Sequence, residues 1–435
     1  MGPNIRRLRF RGLHFRSRPR HHPRRRTLRG HGYFKRLGPG IVTGAADDDP
    51  SGIGTYSQVG AAFGLPIVWS ALYVAPLAAG VQEMAARLGL TRDQGLSTLI
   101  RERFPRWVLY GAVTLVAIAN TFNIAADLAS MGASAHLVVP LPAPALTVLM
   151  SALMLGLEIA VPYHRYARVL RWLAVSLLAY LFVLVSIDVD WSAVLHHVVV
   201  PDFGGGHAEL AALLAVFGTT VSPYLFFWQT SEEVEEEADR PDEAQLDDEH
   251  MVAMRVDVVG GMVSACVIAF AIMVAAAATL HVSGITNVQT ADQAAKALEP
   301  FAGSLAQLLF ALGVVGLGLL AVPVLAGSTA YALSEAVDWH EGLSRRFRDA
   351  RGFYGVIVAS MLVGLALNVV GIDPIRGLYY AAILNGLTAP PLIVLMIVLA
   401  RSRRMGERRS GALSLALCGI AVAVSVALPV AYVLT

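Results

Sequence analysis

Apolar residues run along this chain in eleven segments of membrane-spanning length, near 38–62, 66–86, 107–135, 143–161, 170–188, 209–230, 252–280, 302–334, 353–371, 377–400 and 411–434. Each is expected to be a helix, because a segment in lipid must satisfy its backbone polar groups internally. Two of these segments carry interruptions. In the first, Asp47-Asp48-Asp49 is followed at once by Pro50, Ser51 and Gly52. An Asp at the centre of a spanning helix costs roughly 2.5–3.5 kcal/mol, so three facing lipid would cost on the order of 8–10 kcal/mol. A continuous lipid-exposed helix is therefore excluded. The sixth segment is interrupted at Val221-Ser222-Pro223, with Gly218 shortly before.

Under a five-plus-five split the first and sixth segments correspond. Paired interruptions at matching positions predict an inverted-repeat transporter with a site near the bilayer midplane. Five helices per half is odd, so the second half inserts upside down. The expected organisation is a basic tail (1–37), a first five-helix repeat (38–188), an extracytoplasmic linker (189–208), a second repeat (209–400), and a final basic loop and helix (401–435). The fold class is all-α polytopic membrane protein.

Composition agrees. Of 435 residues 56% are hydrophobic and 15% charged, with mean hydropathy +0.59; a soluble protein carries about 25% charged residues. Cys266 and Cys418 both fall in apolar segments and imply neither a disulfide framework nor a cysteine metal site. Basic residues set the orientation. With the N-terminus in the cytoplasm, 32 of the 34 Lys and Arg lie in cytoplasmic segments, and only Lys296 and Arg376 lie outside. A cytoplasmic membrane location follows, with the C-terminus outside. The first 46 residues contain no Asp or Glu. This stretch reads as a solvated tail that fixes topology, with an arm for anionic lipid and an organelle transit peptide as its alternatives. After the sixth segment the chain turns intensely acidic, from Glu232 to Glu249. This stretch reads as a solvated loop, with an electrostatic funnel for cations as the rival.

The break in the first segment offers a cation the Asp49 carboxylate, the Ser51 hydroxyl and the backbone carbonyls freed around Pro50 and Gly52. These are hard oxygen donors, suited to Mg²⁺, Ca²⁺ or Mn²⁺. In the sixth segment Thr219, Thr220, Ser222 and Tyr224 cluster around Pro223. Such hydroxyls can bond a metal's water shell or repair a proline kink. Asp127 in the third segment is an intramembrane acid, with an inter-helix bond as its structural alternative. Asn385 and Thr388 in the tenth can face the pathway or pack helices. His196, His197 and His281 lie at edges without metal-ligand spacing and read as surface residues.

Gly38-Pro39-Gly40, Asp49-Pro50-Ser51-Gly52, Ala126-Asp127-Leu128-Ala129 and Gly218-Thr219-Thr220-Val221-Ser222-Pro223 together resemble motifs of the Nramp family of divalent metal transporters. The resemblance covers nearly all the segments. It implies a LeuT-like inverted repeat with an eleventh helix, and metal ligands at positions 49, 52 and 222. The sequence departs from the family at several of these. Where the family has Asp-Pro-Gly-Asn, with Asp and Asn on the metal, this chain keeps Asp49 but has Gly52. Where the family has Met-Pro-His, it has Ser222-Pro223-Tyr224; the second family histidine is Gln229, and the third-segment acid after Asp-Leu-Ala is Ser130. Losing a thioether removes the ligand that favours transition metals. Replacing Asn and Met by Gly and Ser enlarges the site, which suits a partly hydrated Mg²⁺. Losing the histidines and the acid removes proton-carrying groups. The pattern resembles the Nramp-related magnesium transporter branch.

The expectation is thus a monomeric transporter, not an enzyme, that imports Mg²⁺ and Mn²⁺ by alternating access without proton coupling. It needs no cofactor, and its partners are the divalent ion and the bilayer, not nucleic acid. Metal ligands are expected at Asp49, Gly52, Thr219, Ser222 and Asn385. Pathway or gating roles fall to Asp47, Asp48, Pro50, Ser51, Asp127, Pro223 and Tyr224. The alternatives are a proton-coupled Mn²⁺/Fe²⁺ importer using Asp127 and an organic-solute symporter of the same superfamily.

Overall fold

The structure is a computed structural model that describes residues 39–434 apart from 162–176, 203, 205, 239–247, 344, 346, 369, 370 and 372. Fifteen helices carry the argument among the described residues. They are α1 (Pro39–Asp47), α2 (Pro50–Phe63), α3 (Trp69–Arg92), α4 (Leu96–Arg103), α5 (Arg106–His136), α6 (Ala143–Ala160), α7 (Leu178–Ser186), α8 (Trp191–Val199), α9 (His207–Thr220), α10 (Pro223–Ala238), α11 (Asp248–Ala276), α12 (Ala306–Val337), α13 (Arg351–Leu367), α14 (Pro374–Ala400) and α15 (Ala412–Leu434).

Among the described residues, eight helical stretches are long and apolar enough to cross a membrane. Three other expected segments take different forms. The first is broken into α1 and α2, the ninth is the 17-residue apolar α13, and the fifth falls partly outside the described residues, leaving α7. Both predicted interruptions are real breaks. Pro50 and Pro223 each start a new helix, because a proline lacks the N–H that would continue the ladder and its ring clashes with the preceding turn.

Two expectations about loops are corrected. The linker 189–208 contains α8, capped by Asp190, whose carboxylate accepts from the Ala193 amide at 3.0 Å. The acidic stretch after the sixth segment begins not as a solvated loop but as the continuation of α10 to Ala238. Glu232 and Glu233 are buried there. The Tyr331 hydroxyl and the Leu343 amide both donate to Glu235. Residues 239–247 of that stretch lie outside the described residues.

The broken pair is held by close backbone approach. Gly40 and Gly44, one turn apart on α1, lie against the α11 backbone at Val258 and Gly261. Small residues at this spacing let membrane helices touch, and the Asp257 carboxylate accepts from the Gly40 amide at 2.6 Å. Gly218 does the same for α9 on α14. A Cβ there would stand 2.0 Å from the Ala382 carbonyl oxygen and 2.3 Å from the Gly386 nitrogen. Backbone on both sides cannot yield as a side chain can, so Gly218→Ala is expected to destabilise the protein by on the order of 3 kcal/mol. Gly260→Ala, with nothing within 4 Å of the added carbon, is the control. Melting of the two variants in detergent checks this, and equal melting temperatures would refute the tight approach.

Candidate metal site

Four half-helix ends meet at the two breaks. α1 ends at Asp47 and α9 at Thr220, so both turn the carbonyl, negative ends of their dipoles toward the breaks. α2 and α10 begin beside them at Pro50 and Pro223. Hydrogen bonds tie the pairs together. The Ser51 and Thr219 hydroxyls are 3.3 Å apart. The Tyr56 and Thr220 hydroxyls are 2.8 Å apart, and Thr220 donates onward to the Val216 carbonyl at 2.8 Å.

Asp49 sits between α1 and α2 as the N-cap of α2, with extended backbone (φ −65, ψ 173). Its Oδ1 accepts from the Gly52 amide at 2.8 Å. Its Oδ2 lies 3.3 Å from the Tyr224 hydroxyl, which also lies 3.0 Å from the Ala46 carbonyl oxygen. One hydroxyl thus covers two of the oxygens that a cation at this break would seek. The first segment's acids do mark a helix start, but a buried one. Asp47, Asp48, Asp49 and Asp127 are all at most 7% exposed. Asp127 lies within electrostatic reach of Asp49 and the Ser51 amide, and Asp47 is close to Asp48, Asp49, Tyr56 and Cys266. Among the described residues, no Lys, Arg or His forms an ion pair or hydrogen bond with any of these four acids. A buried negative cluster without a cation is a costly arrangement, and a divalent cation is what would offset it.

Other predicted positions fall differently. The Ser222 hydroxyl donates to the Gly218 and Thr219 carbonyls at 3.0 and 2.8 Å, which repairs the end of α9. Thr219 therefore offers a carbonyl already bonded from one side. Asn385 is clasped to Asn123: the Asn123 amide donates to it at 2.9 Å, and the Asn385 amide donates back at 3.3 Å. Gly52 contributes an amide donor to Asp49, and a Cβ there would stand 3.3 Å from the Tyr56 ring. The room expected from Gly52 is filled by tyrosine.

Three further polar residues contribute. Thr43, one turn into the break's own helix from Pro39, donates to Gln229, which donates to Glu233 at 2.8 Å. Tyr56 lies two turns after Asp49, and Asn123 one turn before Asp127. Each is a polar residue within an apolar segment, the signal that singles out its neighbours. His281 faces the Ala61 carbonyl at 2.8 Å, so it tethers α2 to the end of α11 rather than standing free. No group of three His, Cys, Asp or Glu side chains converges as a closed metal cage among the described residues. An ion here would be held by one or two carboxylates, carbonyls, hydroxyls and its own water.

A family profile described as "Natural resistance-associated macrophage protein-like" matches residues 40–435. The chain is 24% identical over 393 residues to a divalent metal cation transporter MntH of Caldanaerobacter subterraneus subsp. tengcongensis, covering 86% of each chain. It is 26% identical over 384 residues to a protein of the same name from Klebsiella pneumoniae, covering 85% of this chain and 87% of that one. In three dimensions it is similar to the Eremococcus coleocola manganese transporter in complex with an aromatic bis-isothiourea substituted compound. That match has TM-score 0.74 at 17% identity and covers 92% of this chain and 87% of that one. It is also similar to the inward-facing conformation of Mhp1, with TM-score 0.54 at 15% identity over 92% and 89% of the two chains. The LeuT-like architecture that the family resemblance implies is the fold of this chain.

Proposed function

Because this chain belongs to the Nramp family, we propose that it carries divalent metal ions across a membrane, with Mn²⁺ as a principal cargo. The observation that carries this reading is the set of four buried carboxylates, Asp47 to Asp49 at the helix break and Asp127 on α5, with no basic partner among the described residues. Oxygen-rich sites suit Mn²⁺ as well as Mg²⁺, and the named relatives weigh toward manganese rather than toward the Mg²⁺ preference expected from the sequence. In this reading Asp49 is the principal ligand, the α1 and α9 carbonyls at Ala46 and Thr219 complete the cage, and retained waters fill the rest. Asp47 and Asp48 line the approach. Asn385 joins only if its clasp on Asn123 opens. The basic-residue count supports a cytoplasmic membrane with the N-terminus inside. A divalent ion then gains about 4.6 kcal/mol per 100 mV on entry, and that drive does not require a proton.

A second reading, Mg²⁺ as the preferred ion, rests on the oxygen-only chemistry at positions 52 and 222. Mg²⁺ and Mn²⁺ flux into liposomes enclosing a pH dye separates the possibilities. Uptake of Mn²⁺ competed by Mg²⁺, without internal acidification, supports Mg²⁺ transport without proton coupling. Acidification driven by Mn²⁺ with no Mg²⁺ flux supports a proton-coupled Mn²⁺ carrier that uses Asp127. No divalent flux at all would overturn both.

Selectivity at position 222 has its own test. Ser222→Met loses the two bonds onto Gly218 and Thr219 and adds a thioether. If the new side chain reaches the ion bound at the Thr219 carbonyl beside it, competition by Cd²⁺ relative to Mg²⁺ rises by about 10-fold. An unchanged ratio would show that position 222 does not face the ion.

A further inference from the structure

Far from the break, the end of α4 and the turn after α14 enclose a groove of about 690 Å³. Its lining is Glu102, Arg103, Val398, Arg401, Ser402, Arg403 and Arg404, four guanidinium groups against one carboxylate. The carboxylate is already committed. Glu102 accepts from Arg404 at 2.5 Å, from Arg92 at 3.0 Å and from the Gln94 amide at 3.0 Å. The Gln94 bond first, then Arg92, holds its carboxyl below the usual range, so it stays ionised. Arg103, Arg401 and Arg403 are exposed and form no ion pair among the described residues. An adjoining cleft shares Arg103 and Arg404 and continues over an apolar wall of Leu88, Leu99, Leu399 and Met405.

The surroundings tell a soluble anion from a lipid. Leu387, Pro391, Val394 and Val398 are all exposed on α14. Their spacing of three and four residues places them on one face, a stripe that runs along the helix to the groove. Arg401 follows Val398 by three residues on that face. Trp107, the most exposed of the large side chains near α4 at 74%, stands where α5 begins, as interfacial tryptophans do. An apolar track ending in unpaired arginines beside a tryptophan matches a phospholipid, with chains along the track and phosphate at its end.

We propose that this groove binds the phosphodiester headgroup of an anionic phospholipid. Arg103, Arg401 and Arg403 take the phosphate, and the Leu387 to Val398 stripe takes an acyl chain. The site is independent of which ion is carried.

The test is native mass spectrometry of the full chain in neutral detergent, titrated with phosphatidylglycerol or phosphatidylcholine. The wild type is expected to retain phosphatidylglycerol about 10-fold better or more. The triple variant Arg103→Gln/Arg401→Gln/Arg403→Gln is expected to lose that preference. Equal retention of both lipids by the wild type, or an undiminished preference in the triple variant, would overturn the proposal. Displacement of the lipid by millimolar inorganic phosphate would also overturn it, by making the site one for a soluble anion. Should the variant not fold, the wild type at about 0.5 M salt serves instead, because exposed charge pairs are screened there. A preference that survives that salt would equally sink the proposal.

Discussion

Asp49→Asn is expected to lower divalent metal flux by about 10- to 100-fold while leaving the fold intact. The substitution is chosen because Asp49 does two jobs. Its Oδ1 caps α2 through the Gly52 amide at 2.8 Å, and its charge is the part a cation would use. Asn caps a helix about as well as Asp, so the cap survives and only the charge is lost. A hydrogen bond or ligand contact to a charged group contributes about 1.5–3 kcal/mol, which converts to the stated range. Asp49→Ala removes both jobs and should add about 1 kcal/mol of lost stability. Flux and melting temperature measured on both variants separate the roles. Wild-type flux in Asp49→Asn would remove Asp49 from the site, whatever its cap contributes.

Much of this arrangement is legible in the sequence, for an energetic reason. Charges and prolines in an apolar segment have a local cost that no distant residue can hide, so Asp47 to Pro50 and Val221 to Pro223 announce helix breaks from their own composition. What the sequence hides is the distant partner. Asn385 looks like a pathway amide until Asn123, 262 residues away, takes it. Ser222 looks like a ligand by position, but the nearest acceptors are carbonyls of its own helix end. Glu232 to Glu235 look solvated because acids usually are. Instead Glu232 and Glu233 are buried, and half-buried Glu235 is held by Tyr331 and Leu343, about a hundred residues on. The α8 helix inside the linker is hidden for a local reason, since its nine residues fall short of any spanning pattern.

Tyr224→Phe is expected to bind Mn²⁺ about 10-fold more tightly than the wild type and to melt at a lower temperature without metal. The Tyr224 hydroxyl serves the Ala46 carbonyl at 3.0 Å and the Asp49 carboxylate at 3.3 Å. One hydrogen cannot fully satisfy both. An ion that uses these oxygens must first displace the hydroxyl. Removing it leaves two buried acceptors unserved, at about 1–3 kcal/mol for each bond left unmade. That cost falls on the metal-free state alone, because bound metal serves the same oxygens. The difference appears as affinity, and about 1.4 kcal/mol of it is tenfold. Calorimetric titration with Mn²⁺ gives the affinity, and melting with and without metal gives the linked stability change, which must grow in the variant. Weaker binding in Tyr224→Phe would mean that the hydroxyl helps hold the ion or its water. Tyr224 would then be a ligand in its own right and not the group the ion displaces.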